Sequence, residues 1–325
     1  MLQSLLPPRT AAHSFRKRIA PILVTTTLWL GLGVAMSLLA WVAFWQEPRS
    51  TTLTAIAVES PAWPADAAPV RIVFVSDIHV DGFHTTPQRV AQLAQTVNLL
   101  QPDLILLGGD YIGGGPHESA RGLQSRERRS EAVNERDEQA LRALEQMQAP
   151  LGVFAAMGNH DCWWSCERVR TLFAESGIRL LSNEAARIDR GRDEPIWIAG
   201  LADKQTEEPD IIGTVAQVPE GEAAIAIMHN PQLFDWEGNT FGIQFAGHNH
   251  GGQVRFPFVG ALIRLSRHTE AAISGAMSED GRVLLVSRGF GTSGLPVRFG
   301  TPPEIMLVQI SHGPTARAHV LNPSP

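Results

Sequence analysis

At 325 residues, 44% hydrophobic and 18% charged, the chain suits one catalytic domain with an appendage, and its composition excludes a disordered or collagen-like polymer. A net charge of −6 excludes a general basic surface, so no nucleic-acid partner is expected. Two cysteines alone cannot build a four-ligand zinc site.

Residues 1–18 carry Arg9, Arg16, Lys17 and Arg18, and residues 19–45 carry no charged side chain. As a helix at 1.5 Å per residue the uncharged run is about 40 Å long, more than the ~30 Å core of a bilayer. Trp41 and Trp45 sit near its far end, where indoles favour the lipid–water boundary. The length favours an uncleaved transmembrane anchor over a cleaved signal peptide, and no clear small-x-small cleavage site stands at the far end. The basic flank predicts a cytoplasmic segment over 1–18, with everything beyond about residue 50 exported.

Residues 46–325 read as one domain. Strands are predicted over 53–58, 70–76, 104–107, 152–157, 196–199, 223–228 and 243–246, with late strands over 283–286 and 305–310. A helix is predicted over 87–100, which opens on Pro87 and spaces Val90, Leu93, Val97 and Leu100 along one face, and another over 140–147. Between them, 113–138 holds five Arg and six Asp or Glu with few apolar side chains, so it reads as a solvated insertion or lid. Arg126, Arg128 and Arg129 within it either reach a substrate phosphate or pair with Glu127, Glu131 and Glu135 as a plain solvated loop. On one regular helix Cys162 and Cys166 would lie one turn apart and poorly oriented for a disulfide, which leaves a local structural pair or two buried thiols. Strands alternating with helices point to an α/β sandwich.

The chemistry gathers where strands end. The strand at 70–76 runs into Asp77-Ile78-His79, that at 104–107 into Gly108-Gly109-Asp110, and that at 152–157 into Gly158-Asn159-His160-Asp161. The strand at 223–228 ends in His229, and that at 243–246 in Gly247-His248-Asn249-His250-Gly251-Gly252. Turns beyond the carboxyl ends of strands can converge on one place. Carboxylates and imidazoles suit divalent first-row metals, and a carboxylate can bridge two of them. A lone histidine ending a strand is more often a turn histidine, but five such motifs in series leave that reading little room. The His-Glu-x-x-His of zinc proteases is absent. Two divalent ions would bring +4; Asp77, Asp110 and a bridging hydroxide would bring −3. About one positive charge would remain to favour an anionic phosphate.

With Ser76-Asp77-Ile78-His79, Gly109-Asp110-Tyr111, Gly158-Asn159-His160-Asp161, His229, Gly-His-x-His-Gly-Gly-Gln at 247–253, Ser287-Arg288-Gly289-Phe290-Gly291 and Pro303-Glu304, the sequence resembles the calcineurin-like metallophosphoesterases, specifically their bacterial membrane-associated branch. The resemblance implies a four-layer α/β/β/α sandwich, two sheets flanked by helices, behind an N-terminal transmembrane helix. It implies that Asp77, His79 and His250 hold one divalent metal, that Asn159, His229 and His248 hold a second, and that Asp110 bridges them. His160 would face the substrate, while Asp161 either orients that imidazole or caps a helix. Asn249 stands where this branch usually has Thr, with little consequence expected. The thiol-free ligands fit manganese, iron or zinc. Two-metal logic predicts in-line attack on phosphorus by an acidified, bridging water, with His160 assisting.

The expected enzyme is a single-pass protein of the bacterial cytoplasmic membrane, hydrolysing an envelope or lipid-linked phosphodiester on the exported side. No obligate protein partner is inferred. The alternatives are a UDP-2,3-diacylglucosamine-type pyrophosphatase, disfavoured because that substrate is handled on the cytoplasmic face, and a catalytically silent metal-binding scaffold, disfavoured because no ligand is missing.

Overall fold

The computed structural model describes residues 9–113, 125–191, 193–262 and 273–321. The first helix, α1 (Arg9–Trp41), continues through a wide turn (Val42–Gln46) and a 3₁₀ turn (Glu47–Arg49). Within this stretch Val24–Arg49 is 26 residues of helix, apolar enough to cross a membrane and with none of its most apolar 18-residue window buried in the protein. A helix of that kind at an amino terminus fits a membrane span and also a signal sequence.

The chain then lays down β1 (Thr52–Ser60), β2 (Val70–Val75), β3 (Leu104–Leu107), β4 (Val153–Ala155) and β5 (Arg179–Leu180) in one sheet. A second sheet takes β6 (Glu184–Arg190), β7 (Asp193–Gly200), β8 (Ala223–Ile227) and β9 (Ile243–Ala246). A hairpin of β10 (Arg255–Phe256) and β11 (Gly260–Ala261) follows, and β12 (Gly275–Glu279) and β13 (Arg282–Val286) complete the second sheet. Finally β14 (Glu304–His312) and β15 (Arg317–Val320) return to the first. The sheet orders are β15-β1-β14-β2-β3-β4-β5 and β12-β13-β9-β8-β7-β6. Strands β2 to β5 are parallel, as are β7, β8, β9 and β13, so their carboxyl ends share one edge of each sheet.

Burial explains the patterning. In β2, Ile72 and Phe74 enter the core between the sheets, where Phe74 meets Phe245 with ring centroids 5.2 Å apart. Val73 and Val75 enter the core beneath the helices. A strand buried on both faces reads as an unbroken apolar run, and each such side chain contributes on the order of 1.5–3 kcal/mol by leaving water. Helix α2 (Pro87–Leu99), N-capped by Thr86, buries Val90, Leu93, Ala94 and Val97 on the first sheet. With it pack α3 (Glu131–Ala143) and α4 (Asn159–Ser176), the latter stopped by Gly177 at φ 74°. The second sheet is covered more thinly, by α5 (Ile211–Val215), the turn Pro231–Asp235 and a core of Met228, Leu233, Phe234 and Phe241. The layers are α/β/β/α.

Every strand predicted from the sequence is present. Those not foreseen, such as β5, β6 and β15, are short or polar. One expectation is corrected. Residues 131–138 are helix and not a solvated loop: α3 begins at Glu131, well before the helix predicted at 140–147. Its buried polar residues, Asn134 and Asp137, each have a partner. Arg129 Nη1 donates to Asp137 Oδ2 at 2.7 Å, and Trp164 Nε1 donates to Asn134 Oδ1 at 3.0 Å. Residues 114–124 of the expected lid lie outside the described residues. Cys162 and Cys166, left open between a local structural pair and two buried thiols, form a disulfide with their Cα atoms 4.1 Å apart. They do not share one regular helix, because Ser165 between them is extended (φ −175°, ψ 102°).

Candidate metal centre

The strand-end motifs meet at the common edge. Asp77 and His79 follow β2, Asp110 follows β3, Asn159 and His160 open α4 after β4, His229 follows β8, and His248 and His250 follow β9. Five of these have left-handed backbones: Asp77 (φ 54°), His79 (φ 44°), Asp110 (φ 55°), His248 (φ 71°) and His250 (φ 50°). That conformation costs a non-glycine residue about 1–2 kcal/mol, and such strain persists only where the surroundings over-determine it. Here the loops hold one another. Asp77 N–H donates to Gly109 O and His79 N–H to Asp110 O, both at 2.9 Å, while Gly291 N–H donates to Asp77 O at 2.7 Å. The close approach requires glycine at two places. A Cβ on Gly109 would fall 2.5 Å from Gly158 N, and one on Gly247 would fall 2.2 Å from Asp77 Oδ2.

Three groups of ligand atoms each lie within 4.8 Å of one another: Asp77, His79 and His250; Asp110, His229 and His248; and His79, Asp110 and His160. Asp110 stands between the first two, its Oδ2 3.3 Å from His79 Nε2 and 3.2 Å from His229 Nε2. Its Oδ1 accepts from the His160 N–H at 2.8 Å. His250 Nε2 is 3.0 Å from His79 Nε2 and 3.3 Å from Asp77 Oδ1, and His248 Nδ1 is 3.1 Å from His229 Nε2. Asp77 is oriented by the Ser76 hydroxyl at 2.6 Å and the His248 N–H at 3.0 Å. Asn159 is buried and its Oδ1 has no partner.

These residues fit two divalent cations. Ligand atoms about 2.0–2.1 Å from a shared ion lie about 3 Å apart around it, which matches the imidazole and carboxylate spacings above. The orphaned Asn159 oxygen is an acceptor awaiting a positive partner. The electrostatics agree. Burial opposes protonation of His229, but Asp110, its hydrogen bond, Asp77 and Asp203 outweigh it and raise the imidazole well above its ordinary value. Burial, then the His229 charge, pulls His248 down to about 3. Burial, then His79 and Arg298, pulls His250 well down. Burial would raise Asp110, yet His229 and His160 hold it well below the carboxylate range. Of these histidines His229 is the one whose surroundings favour a proton, and a cation bound there would displace it.

His160 is brought to the rim. Its ring lies against His79 (centroids 4.7 Å) and Trp163 (4.6 Å), and burial, opposed by Asp110, pulls it to about 4. Its Nδ1 faces Gly113 O at 3.4 Å. Asp161 does not orient that imidazole, which corrects one of the two readings of this residue. Its carboxylate accepts from the N–H groups of Asp110, Tyr111, Ile112 and Gly158 at 2.8–3.1 Å. It is the cap that fixes the loop after β3 to the start of α4. Burial, then the Asp110 charge, pushes its carboxyl up to about 7, against four donors that favour the charged form.

Sequence reasoning missed Arg298, Gln205 and the role of Arg288. Arg298 is fully buried and donates to the carbonyls of Gly291, Thr301 and Arg288 at 2.6–2.8 Å, with Nη2 3.4 Å from His250 Nδ1. Arg288 closes onto Glu304, Nη2 to Oε1 at 2.8 Å. Gln205 Nε2 lies 3.2 Å from His248 Nε2. Arg298 and Gln205 sit in no strand-end motif, so no local pattern marked them, and Arg288 lies in a quoted motif but takes its role from Glu304, distant in sequence.

A family model for calcineurin-like phosphoesterases matches residues 70–252, a span that contains every candidate ligand. The chain is 26% identical over 264 residues to an uncharacterized metallophosphoesterase, YkuE, of Bacillus subtilis (strain 168), covering 80% of this chain and 85% of that protein. It is also 26% identical over 255 residues to a second uncharacterized metallophosphoesterase of that organism, YkoQ, covering 75% and 86%. With the UDP-2,3-diacylglucosamine pyrophosphatase LpxG of Chlamydia trachomatis serovar D it shares 25% identity over 342 residues, 86% of this chain and 96% of that protein.

Proposed function

The chain belongs to the calcineurin-like phosphoesterase family, and from that premise we propose that it is a membrane-anchored, binuclear phosphodiesterase acting on an envelope or lipid-linked phosphate. The observation that carries the reading is Asp110, whose one carboxylate oxygen lies 3.2–3.3 Å from a histidine of each ligand trio. Asp77, His79 and His250 would hold one cation, Asn159, His229 and His248 the other, and Asp110 both. Two divalent ions bound there supply Lewis acidity, acidifying water and neutralising phosphoryl charge.

The chain's own groups do the rest. The His160 N–H fixes Asp110 Oδ1 and so ties the rim histidine to the shared carboxylate. A phosphate anion beside the His160 ring favours its protonated form. The imidazolium then donates to a phosphoryl or leaving oxygen. Arg298 and Asp161 position loops and touch no substrate.

Residues 19–45 serve as the anchor and 46–325 as the catalytic domain, with 1–18 cytoplasmic. The Cys162–Cys166 disulfide supports export, since disulfides persist in oxidising compartments. The likeness to LpxG over nearly its whole length favours a second reading, a nucleotide-linked lipid pyrophosphatase. The deciding experiment offers the full-length protein, with added manganese, iron or zinc, a panel of phosphomonoesters, phosphodiesters, glycerophospholipids and UDP-linked acylated sugars. Metal-dependent cleavage of diesters supports the first reading, and selective cleavage of the UDP-linked sugar the second. Failure to turn over any of the four, with metals bound, would refute both.

A further inference from the structure

Apart from the metal centre, the protein has a cleft of about 550 Å³ at the end of the apolar helix, lined by none of the candidate ligands. Arg49 and Arg89 both line it, with Phe290 among its apolar residues. Arg89 Nη1 donates to His84 O at 3.0 Å, and its guanidinium lies 4.5 Å from the Phe290 ring centroid. Arg49 Nη1 donates to Trp45 O at 3.0 Å and stacks 3.6 Å from the Trp45 ring. Carbonyls and rings fix the two cations in place but do not neutralise them. Among the described residues neither has a carboxylate within ion-pair distance.

Asp81 is an anion whose charge acts on both. Its carboxylate is already engaged, Oδ1 by the N–H groups of Phe83, His84 and Thr85 at 2.8 Å and Oδ2 by the Thr292 hydroxyl at 3.3 Å. Burial brings Arg89 down to about 10, so it stays charged at neutral pH. Thr86, also on the cleft wall, caps the positive end of the 13-residue α2. His84 on the cleft wall is buried with Nδ1 unpartnered. Two unpaired guanidiniums and a helix amino terminus around one cavity select a phosphate.

Position selects its source. Arg49 is the last residue of the 26-residue apolar helix. At 1.5 Å per residue that helix is about 39 Å long, which exceeds the ~30 Å hydrocarbon core and ends within the headgroup layer. Trp45 and Phe83, 51% and 50% exposed, face each other there with ring centroids 6.4 Å apart. Exposed aromatic rings at that level mark a lipid–water boundary.

We propose that this cleft binds the phosphate of an anionic lipid headgroup and seats the catalytic domain on the bilayer surface. The proposal rests on the membrane-anchored reading above but not on its orientation, because either leaflet offers headgroups at the helix end. The test titrates the full-length protein in neutral detergent with phosphatidylglycerol, phosphatidylcholine or inorganic phosphate, and reads binding by native mass spectrometry. Phosphatidylglycerol should bind best, and Arg89→Gln or Arg49→Gln should each weaken it by about tenfold, the value of one charge-assisted contact. Arg89→Lys should restore part of the loss. Equal binding of the two lipids, or binding indifferent to both Gln variants, overturns the proposal. Inorganic phosphate binding as tightly as phosphatidylglycerol also overturns it and leaves a free-phosphate site. Arg49→Gln, at the partly exposed position, keeps the test standing if Arg89→Gln does not fold. Fractionation of cells separates the two ideas: a chain absent from membranes refutes anchoring, whereas a membrane-bound chain with unaltered lipid binding refutes only the cleft.

Discussion

The backbone N–H of Arg298 donates to the carbonyl of Ala43 at 3.0 Å, and the Arg298 side chain reaches His250 Nδ1 at 3.4 Å. The end of the apolar helix is therefore a neighbour of the metal centre. Glu47 adds a second tie, its Oε1 accepting from Thr301 N–H at 2.6 Å. The helix end is fastened to the domain, since Pro48 is buried and the Ala43 carbonyl is bonded.

Arg298→Ala should therefore damage both stability and metal retention. It leaves the carbonyls of Gly291, Thr301 and Arg288 buried without their donor. At about 1–3 kcal/mol for each unsatisfied buried group, a loss of about 3 kcal/mol or more is expected. Thermal unfolding and metal content should fall together. An unchanged melting temperature would show that the buried guanidinium is not what holds these loops.

The protein should bind about two divalent ions per chain, and loading should strengthen as pH rises. The sign follows from His229, whose proton must leave before a metal enters and whose raised value delays that departure. The metal-free protein should trend oppositely. Its His229–Asp110 pair stabilises fully below the ordinary histidine value of about 6.5, and that stability is lost as pH climbs through the raised folded value. Asp110→Asn should lose metal and activity together. Metal analysis that finds one ion at saturation would remove the binuclear reading.

His160 and Asp161 are adjacent in sequence and should behave differently. His160→Ala should slow turnover by about tenfold or more with metal content nearly intact, as for a positioned acid. Asp161→Asn should lower stability, because its carboxylate accepts four backbone N–H groups and an amide oxygen cannot serve them all. If Asp161→Asn changed only the pH profile of turnover, Asp161 would be orienting the imidazole after all.

Arg129 should prove structural. It is buried and paired with Asp137, so Arg129→Ala leaves that carboxylate with Arg136 as its remaining partner. Breaking a buried pair costs about 3–5 kcal/mol, and the surviving Arg136 pair reduces the expected loss to about 2 kcal/mol. KM for a lipid-sized substrate should not move. A raised KM without loss of stability would restore the substrate-binding role that the polar composition of 113–138 suggested.

The sequence was most legible where one physical cause dominated. Ile72–Val75 is buried on both faces, so the strand is an unbroken apolar run after the exposed Arg71, and the polar ligands follow where that run stops. The ligand motifs were visible for the same reason. What stayed hidden depended on partners distant in sequence. Asp137 and Asn134 look solvated until Arg129 and Trp164 are placed against them. Arg298 is one basic residue between Val297 and Phe299, with its acceptors set by folding. The cysteine spacing left the pair open because it could not show that Ser165 breaks the helix between them.

That disulfide bears on the side of the membrane where the domain lies. On the topology proposed above, Arg9, Arg16, Lys17 and Arg18 would keep the amino terminus inside and the domain would fold outside, where a Cys162–Cys166 bond would persist. A cytoplasmic domain would instead keep both thiols reduced. Among all 325 residues these are the two cysteines, so any thiol labelling reports on this pair. In intact cells quenched with acid, a maleimide of known mass should add nothing to the chain, and after reduction it should add twice. A reporter active only when exported, fused after Pro325, should be active. Double labelling without reduction, together with a silent exported reporter, would place the domain in the cytoplasm. It would also move the weight of the functional reading to the UDP-linked lipid.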